Sequence, residues 1–263
     1  MSAARISIPG VVAVNAYREA IRDRVLYNLI FFALMMFGAA ILVGQISIGI
    51  ERLVIVNLGL SAISLIGLIM AIFIGVGLVY KEIEKRTLYS LLAKPVRRWE
   101  FLVGKYAGLL LTLAVNTALM ALGLAAALYY VSRHFERSDF SILVAIYFIL
   151  LELALVTALA LFFSCFSSPI LSTLFTLAIY ITGTFAQDIR EFGEVTKNPV
   201  LLGMTRALYY LLPNFHNFNG IAAAAYGDKI PAALIVQNTL YALLYVSVVL
   251  LGASAAFSGR NLK

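Results

Sequence analysis

The sequence predicts an all-α polytopic membrane protein. It has six transmembrane helices, an amphipathic helix on one membrane surface and a short re-entrant or interfacial helix on the other. Three observations lead there. Hydrophobic residues make up 62% of the 263 residues, and the mean hydropathy is +0.96, which excludes an ordinary soluble protein. Apolar runs recur that are long enough to cross about 30 Å of hydrocarbon, a crossing that takes about 20 helical residues. Basic residues are also spread unevenly over the loops these runs would leave on the two sides.

In chain order, residues 1–25 carry Arg5, Arg18, Arg22 and Arg24 and lack a compact apolar core followed by a small-residue cleavage site, so span one is expected to be an uncleaved anchor. Val11, Val14, Tyr17, Ile21 and Val25 form a stripe there, with Asn15, Arg18, Arg22 and Asp23 elsewhere. That pattern suits an interfacial helix on anionic lipid; a solvated basic leader is the alternative. The six spans are expected at residues 26–48, 53–79, 101–130, 142–163, 170–185 and 231–257, a single transmembrane domain over 26–257 with a tail at 258–263. Span two holds no charge, and its Gly67, Ala71 and Gly75 repeat every four residues, a small-residue ridge that lets another helix approach. Span three opens with Gly104, Lys105 and Gly108; the lysine can snorkel to the interface on its flexible stem. Span five, after a tight turn at 164–169, is the shortest.

Residues 187–229 are neither a full span nor plainly a loop. Asn198 followed by Pro199 makes a helix start, and the apolar stretch 200–212 stops at Pro213. Such a helix reaches only about 20 Å, too short to cross, so it is expected to be re-entrant or interfacial. Tyr209, Tyr210, Phe215, Phe218 and Tyr226 would supply rings at the headgroup level.

The most charged stretch lies between spans two and three. Residues 80–105 hold seven of the twenty Lys and Arg (Lys81, Lys85, Arg86, Lys94, Arg97, Arg98 and Lys105) and three acids, Glu82, Glu84 and Glu100. Such a segment cannot lie in hydrocarbon and must face water. Tyr80, Ile83, Thr87, Leu88, Leu91 and Leu92 recur at three- and four-residue spacing, with Lys81, Glu82, Lys85 and Arg86 on other faces, which makes an amphipathic surface helix. Glu82 supports Arg86 four residues on. Pro95 ends the helix, because it drives Lys94 out of the α region. After Arg97, Arg98 and the interfacial Trp99 the apolar pattern resumes at Phe101.

These residues carry a resemblance. Glu82, Lys85-Arg86-Thr87-Leu88, Leu91-Leu92-Ala93-Lys94-Pro95-Val96, Arg98-Trp99 and Gly104-Lys105 resemble the cytoplasmic signature of the ABC-2 type exporter permeases, one branch of which, the Nos-type permeases, supports copper-enzyme maturation. The resemblance implies a transmembrane permease subunit of an ATP-driven ABC transporter, with the cytoplasmic segment 80–100 containing a coupling helix. Tyr80, Glu82, Ile83, Arg86, Thr87, Leu88, Leu91 and Leu92 would dock on a separate cytoplasmic ABC ATPase that holds the ATP and magnesium. It also implies a homodimer of permease subunits, an N-terminal connecting helix and export. Residues 200–212 would close the pore from outside or present it to an external accessory protein. A generic basic helix on anionic lipid is the plainer alternative for the charged block.

Thirteen basic residues fall in the N-terminal part, the charged block and the tail, against seven (Arg52, Arg133, Arg137, Arg190, Lys197, Arg206 and Lys229) on the opposite side. This bias places both termini in the cytoplasm, with the protein in the cell inner (plasma) membrane. Topology thus explains much of the +7 net charge, and nucleic-acid binding need not be invoked.

No phosphate-loop motif occurs, so no cofactor is expected in this chain and ATP hydrolysis would fall to the partner. Glu152, near the middle of span four, is the only acid deep in the membrane, with Asn116, Gln237 or Asn238 as candidate neutral partners. Glu152 and Asn116 thus mark an intramembrane polar site. It serves either cargo or a proton, or else it fixes helix packing. No metal site is expected, since His134 and His216 lie in outer segments, Cys165 stands alone, and Met35 and Met36 read as packing residues. Taken alone, the residues also admit an ion-coupled secondary transporter, which would need more intramembrane ionisable groups or an internal repeat, or a non-transporting membrane scaffold.

Overall fold

The computed structural model describes residues 49–84, 98–132, 139–195 and 199–259, together with scattered helical positions between residues 10 and 42. Its regular elements are α1 (Glu51–Glu84), α2 (Arg98–Ser132), α3 (Phe140–Ser164), α4 (Pro169–Thr184), α5 (Ala186–Val195), α6 (Pro199–Leu211), a 3₁₀ turn (Phe215–Phe218), α7 (Ile221–Tyr226) and α8 (Ala232–Gly259). The helices α1, α2, α3 and α8 are each long and apolar enough to cross a membrane. α4 and α5, bent by 53° at their junction, make a fifth crossing if taken as one span. Most of the expected span one and of the N-terminal helix lies outside the described residues, but Phe32 and Met36 are buried, and Phe32 rests against Gly123 of α2.

The axis of the bundle is α3, against which α1, α2, α4, α7, α8 and the 3₁₀ turn all pack. Its sequence is apolar around the whole circumference, as a helix surrounded by others requires. The expected small-residue ridge of span two forms the seam with it. Gly67 lies under Leu153, a Cβ at Gly75 would stand 2.9 Å from the Ala160 Cβ, and Ala71 between them is buried.

The sequence places the end of span two at residue 79 and a separate surface helix beyond it. The structure differs, since α1 runs unbroken for 34 residues to Glu84, about 50 Å at 1.5 Å per residue. Backbone hydrogen bonding does not sense the edge of the hydrocarbon, and residues 79–84 contain neither proline nor glycine to interrupt it.

The helices meet at two ends. At the cap end, Arg52 of α1 pairs with Asp139 before α3 at 2.8 Å and donates to the Ala225 carbonyl of α7 at 3.2 Å. At the block end, Phe101 and Leu102 of α2, Cys165 after α3 and Ala253 of α8 form a separate apolar cluster.

A second correction concerns the segment between α4 and α8. The apolar helix α6 forms where expected but stays largely exposed, with Val200, Met204, Tyr210 and Leu211 on its surface, and it packs on α5. The portion after Pro213 is what enters the bundle. Phe215 and Phe218, expected as rings at the headgroup level, are core residues, 2% and 1% exposed. Gly220 follows them so closely against α3 that a Cβ there would stand 3.2 Å from Phe148 and 3.4 Å from the Ala145 Cα. Proline stops α6 and turns the chain inward, and two large rings then fill space between α3 and α4.

Candidate functional site

Of the residues expected to form the docking surface, Tyr80, Glu82 and Ile83 lie on the final turns of α1; Arg86, Thr87, Leu88, Leu91 and Leu92 lie outside the described residues. The block thus begins on the last turns of α1, which ends at Glu84, and finishes on the first turns of α2, which starts at Arg98. Each is among the longest helices described, and each packs on α3.

The intramembrane site is better defined. Glu152 is the central residue of the 25-residue α3 and is 9% exposed. The Tyr180 hydroxyl of α4 lies within hydrogen-bond reach of it. Thr184, one turn further along α4, donates to the Tyr180 carbonyl at 2.9 Å and lies within hydrogen-bond reach of the phenol. Beside them is a cavity of about 120 Å³, where Ser64 of α1 and His216 and Asn219 of the buried turn join Glu152, Tyr180 and Thr184, with Ile149, Phe215, Phe218 and Ile221 completing the wall.

The structure does not bring Asn116 into this site. Its amide donates to the Met70 sulfur of α1 at 2.6 Å, and its Oδ1 is buried with no hydrogen-bond partner among the described residues. Met70 lies six residues beyond Ser64 on α1, about 9 Å of helical rise, so the two polar points occupy different depths. Asn238 likewise turns elsewhere, to the Asn217 carbonyl at 2.7 Å. Glu152 therefore takes its partner from span five, which contributes no candidate in the sequence reading. The i, i+4 pair Tyr180 and Thr184, made by this helix's only phenol and a hydroxyl one turn further along, is the signal that could have found it.

The buried turn is held by a ladder from α8. Tyr245 donates to the Leu211 carbonyl at 2.6 Å, the Asn214 amide donates to the Tyr241 hydroxyl at 2.8 Å, and Asn238 donates to the Asn217 carbonyl. These contacts run antiparallel, three residues apart on the turn and three to four apart on α8. They answer the demand that non-helical backbone inside a membrane protein find partners within the protein. Tyr147 of α3 is tied to Thr239 of α8 by a hydroxyl pair at 2.8 Å.

The arrangement is that of a membrane bundle with one buried carboxyl in a small polar cavity and a charged block between two long helices. Among the described residues no three His, Cys, Asp or Glu side chains are grouped as a metal site. The chain matches the family described as ABC-2 family transporter protein over residues 11–262. Among curated proteins none matches it. The family match takes in the charged block, the bundle and the buried turn alike, and the chain belongs to the ABC-2 family of transporter proteins.

Proposed function

We propose that this membrane permease subunit of an ABC transporter is one half of an exporter, pairing with a second copy of itself and driven by a separate cytoplasmic ATPase that engages residues 80–92. In this reading the permease hydrolyses no ATP itself, the inner (plasma) membrane holds it with both termini in the cytoplasm, and the segment 187–229 faces outward, where an external accessory protein could meet it. The observation that supports the reading is the run of α1 into the start of the charged block. The apolar run of α1 ends at Tyr80, yet the helix continues through Lys81 to Glu84, about one turn or 6 Å further. A load applied to residues 85–97 would therefore reach the bundle through rigid helix on one side and, from Arg98 onward, through α2 on the other. Both helices pack on α3, which carries Glu152.

The test is the double variant Leu88→Ala with Leu91→Ala. Truncating a buried interface anchor costs more than about 1 kcal/mol, so the pair should weaken ATPase association about tenfold or more and depress ATP-dependent transport with it. Membrane abundance should be unchanged. Glu82→Ala, at the polar rim, should do less to association. ATPase co-purification and transport both retained in full by the double variant would return the block to a lipid-surface role.

A further inference from the structure

We propose that the cavity beside Glu152 is a binding site for one small monovalent cation, reached from the cap end past His216 and Asn219. The site lies about 18 Å from either end of α3, yet it is not sealed. His216 and Asn219 line it and are also exposed at the surface of the chain. A volume of about 120 Å³ holds several waters at about 30 Å³ each, enough for a partly hydrated ion and too small for a bulky cargo.

The chemistry selects the ligand. A carboxylate offers about four acceptor positions, and even with the Tyr180 hydroxyl within reach of one acceptor capacity remains toward the cavity. Ser64, Tyr180 and Thr184, which carry hydroxyls, and Asn219, which carries an amide, line the same space; the Thr184 hydroxyl donates to the Tyr180 carbonyl and Asn219 Oδ1 accepts from the Ile221 amide at 3.3 Å, so each oxygen keeps a lone pair to offer. This is a hard oxygen set of the kind that suits non-transition cations. No Lys or Arg is among the lining residues, and the one lining imidazole, His216, is exposed, so the interior offers Glu152 no fixed counter-charge and an ion from solution can supply it. One carboxylate balances one positive charge; a divalent ion would leave a net charge in a low-dielectric interior, which is costly. The absence of a three-member His, Cys, Asp or Glu group among the described residues agrees with a monovalent occupant.

The site spans four elements, since Ser64 is on α1, Glu152 on α3, Tyr180 and Thr184 on α4, and His216 and Asn219 on the buried turn. Occupancy should therefore stabilise the packing of that turn against the bundle. The proposal stands apart from ATPase coupling, and its test needs no ATPase.

The full-length chain is reconstituted in lipid nanodiscs and its thermal unfolding followed while N-methylglucamine chloride is replaced by sodium or potassium chloride at constant ionic strength. With one of the two ions about a hundredfold above its dissociation constant, the midpoint should rise by on the order of 5 °C, saturably. The rise should vanish in Glu152→Gln. No rise in the wild-type protein, or an equal rise in Glu152→Gln, overturns the proposal, as does a larger saturable rise with calcium. His216→Cys in a Cys165→Ser background, which leaves the oxygen set intact, gives a second readout that does not depend on the Glu152 variant folding. Its reaction with a membrane-impermeant maleimide should slow several-fold in the stabilising ion, and an unchanged rate would count against the site.

Discussion

Gly183 and Gly203 are both helical glycines, and replacing each by alanine should move stability in opposite directions. Gly183 lies on α4 between Tyr180 and Thr184. A Cβ there would collide with the backbone carbonyl of Pro213 and stand 2.8 Å from Phe215 Cδ2 and 3.2 Å from its Cε2. Neither neighbour can give way easily, since one is backbone and the other is a ring only 2% exposed. Overpacking of this kind costs about 1–3 kcal/mol, offset by at most about 0.5–1 kcal/mol of glycine-to-alanine helix preference. With backbone as the nearest clashing atom the overpacking cost falls in the upper part of its range, about 2–3 kcal/mol, and the net loss of about 1–2.5 kcal/mol corresponds to a midpoint lower by about 2–10 °C for a chain of this size. Gly203, on α6, has nothing within 4 Å of a built Cβ, so Gly203→Ala should be neutral or raise the midpoint by about 1–4 °C. The assay is thermal unfolding of both variants beside wild type in nanodiscs. If Gly183→Ala were as well tolerated as Gly203→Ala, the turn after Pro213 would not be seated against α4, and the cavity that depends on it would lose its wall.

Two further outcomes follow from the topology and from the α8 ladder. Arg98→Cys and Lys197→Cys, each made in a Cys165→Ser background, should differ in intact cells, a membrane-impermeant thiol reagent labelling the second and not the first; the reverse pattern would invert the topology. Asn238→Leu should leave the Asn217 carbonyl without its donor and cost about 1–3 kcal/mol, seen as a lower unfolding midpoint, whereas Gln237→Leu, one residue earlier on an exposed face, should cost less than about 0.5 kcal/mol.

The spans that fall within the described residues were legible because crossing hydrocarbon imposes a length and a composition that single residues cannot disguise. The stretch 142–163 lies within α3, and 170–185 falls within a residue of α4. The ridge of Gly67, Ala71 and Gly75 was legible for a related reason, since small residues at four-residue spacing have one face to offer. What escaped was tertiary. Phe215 and Phe218 sit in a 3₁₀ turn too short to carry any periodicity, so nothing in the sequence distinguishes rings at an interface from rings in a core. Glu152 was recognisable as out of place, but its partner depends on which helix lies alongside. Asn116, Gln237 and Asn238 stood out as neutral partners and Tyr180 did not, because nothing in the sequence sets α4 beside α3. The extension of α1 was missed for the opposite reason, because a change from apolar to charged residues reads as a boundary when the backbone crosses it unchanged.

The ladder between α8 and the turn also limits how the bundle can move. Its three contacts share one register, so sliding α8 past the turn by a single residue would put every donor out of reach of its acceptor together. The turn must therefore ride with α8 or part from it altogether. If it rides, His216 and Asn219 travel with the last helix while Glu152 and Tyr180 stay with α3 and α4, and the cavity between them widens or closes as one joint opens. The last helix of the chain would then set how far the buried carboxyl stands open to the cap end.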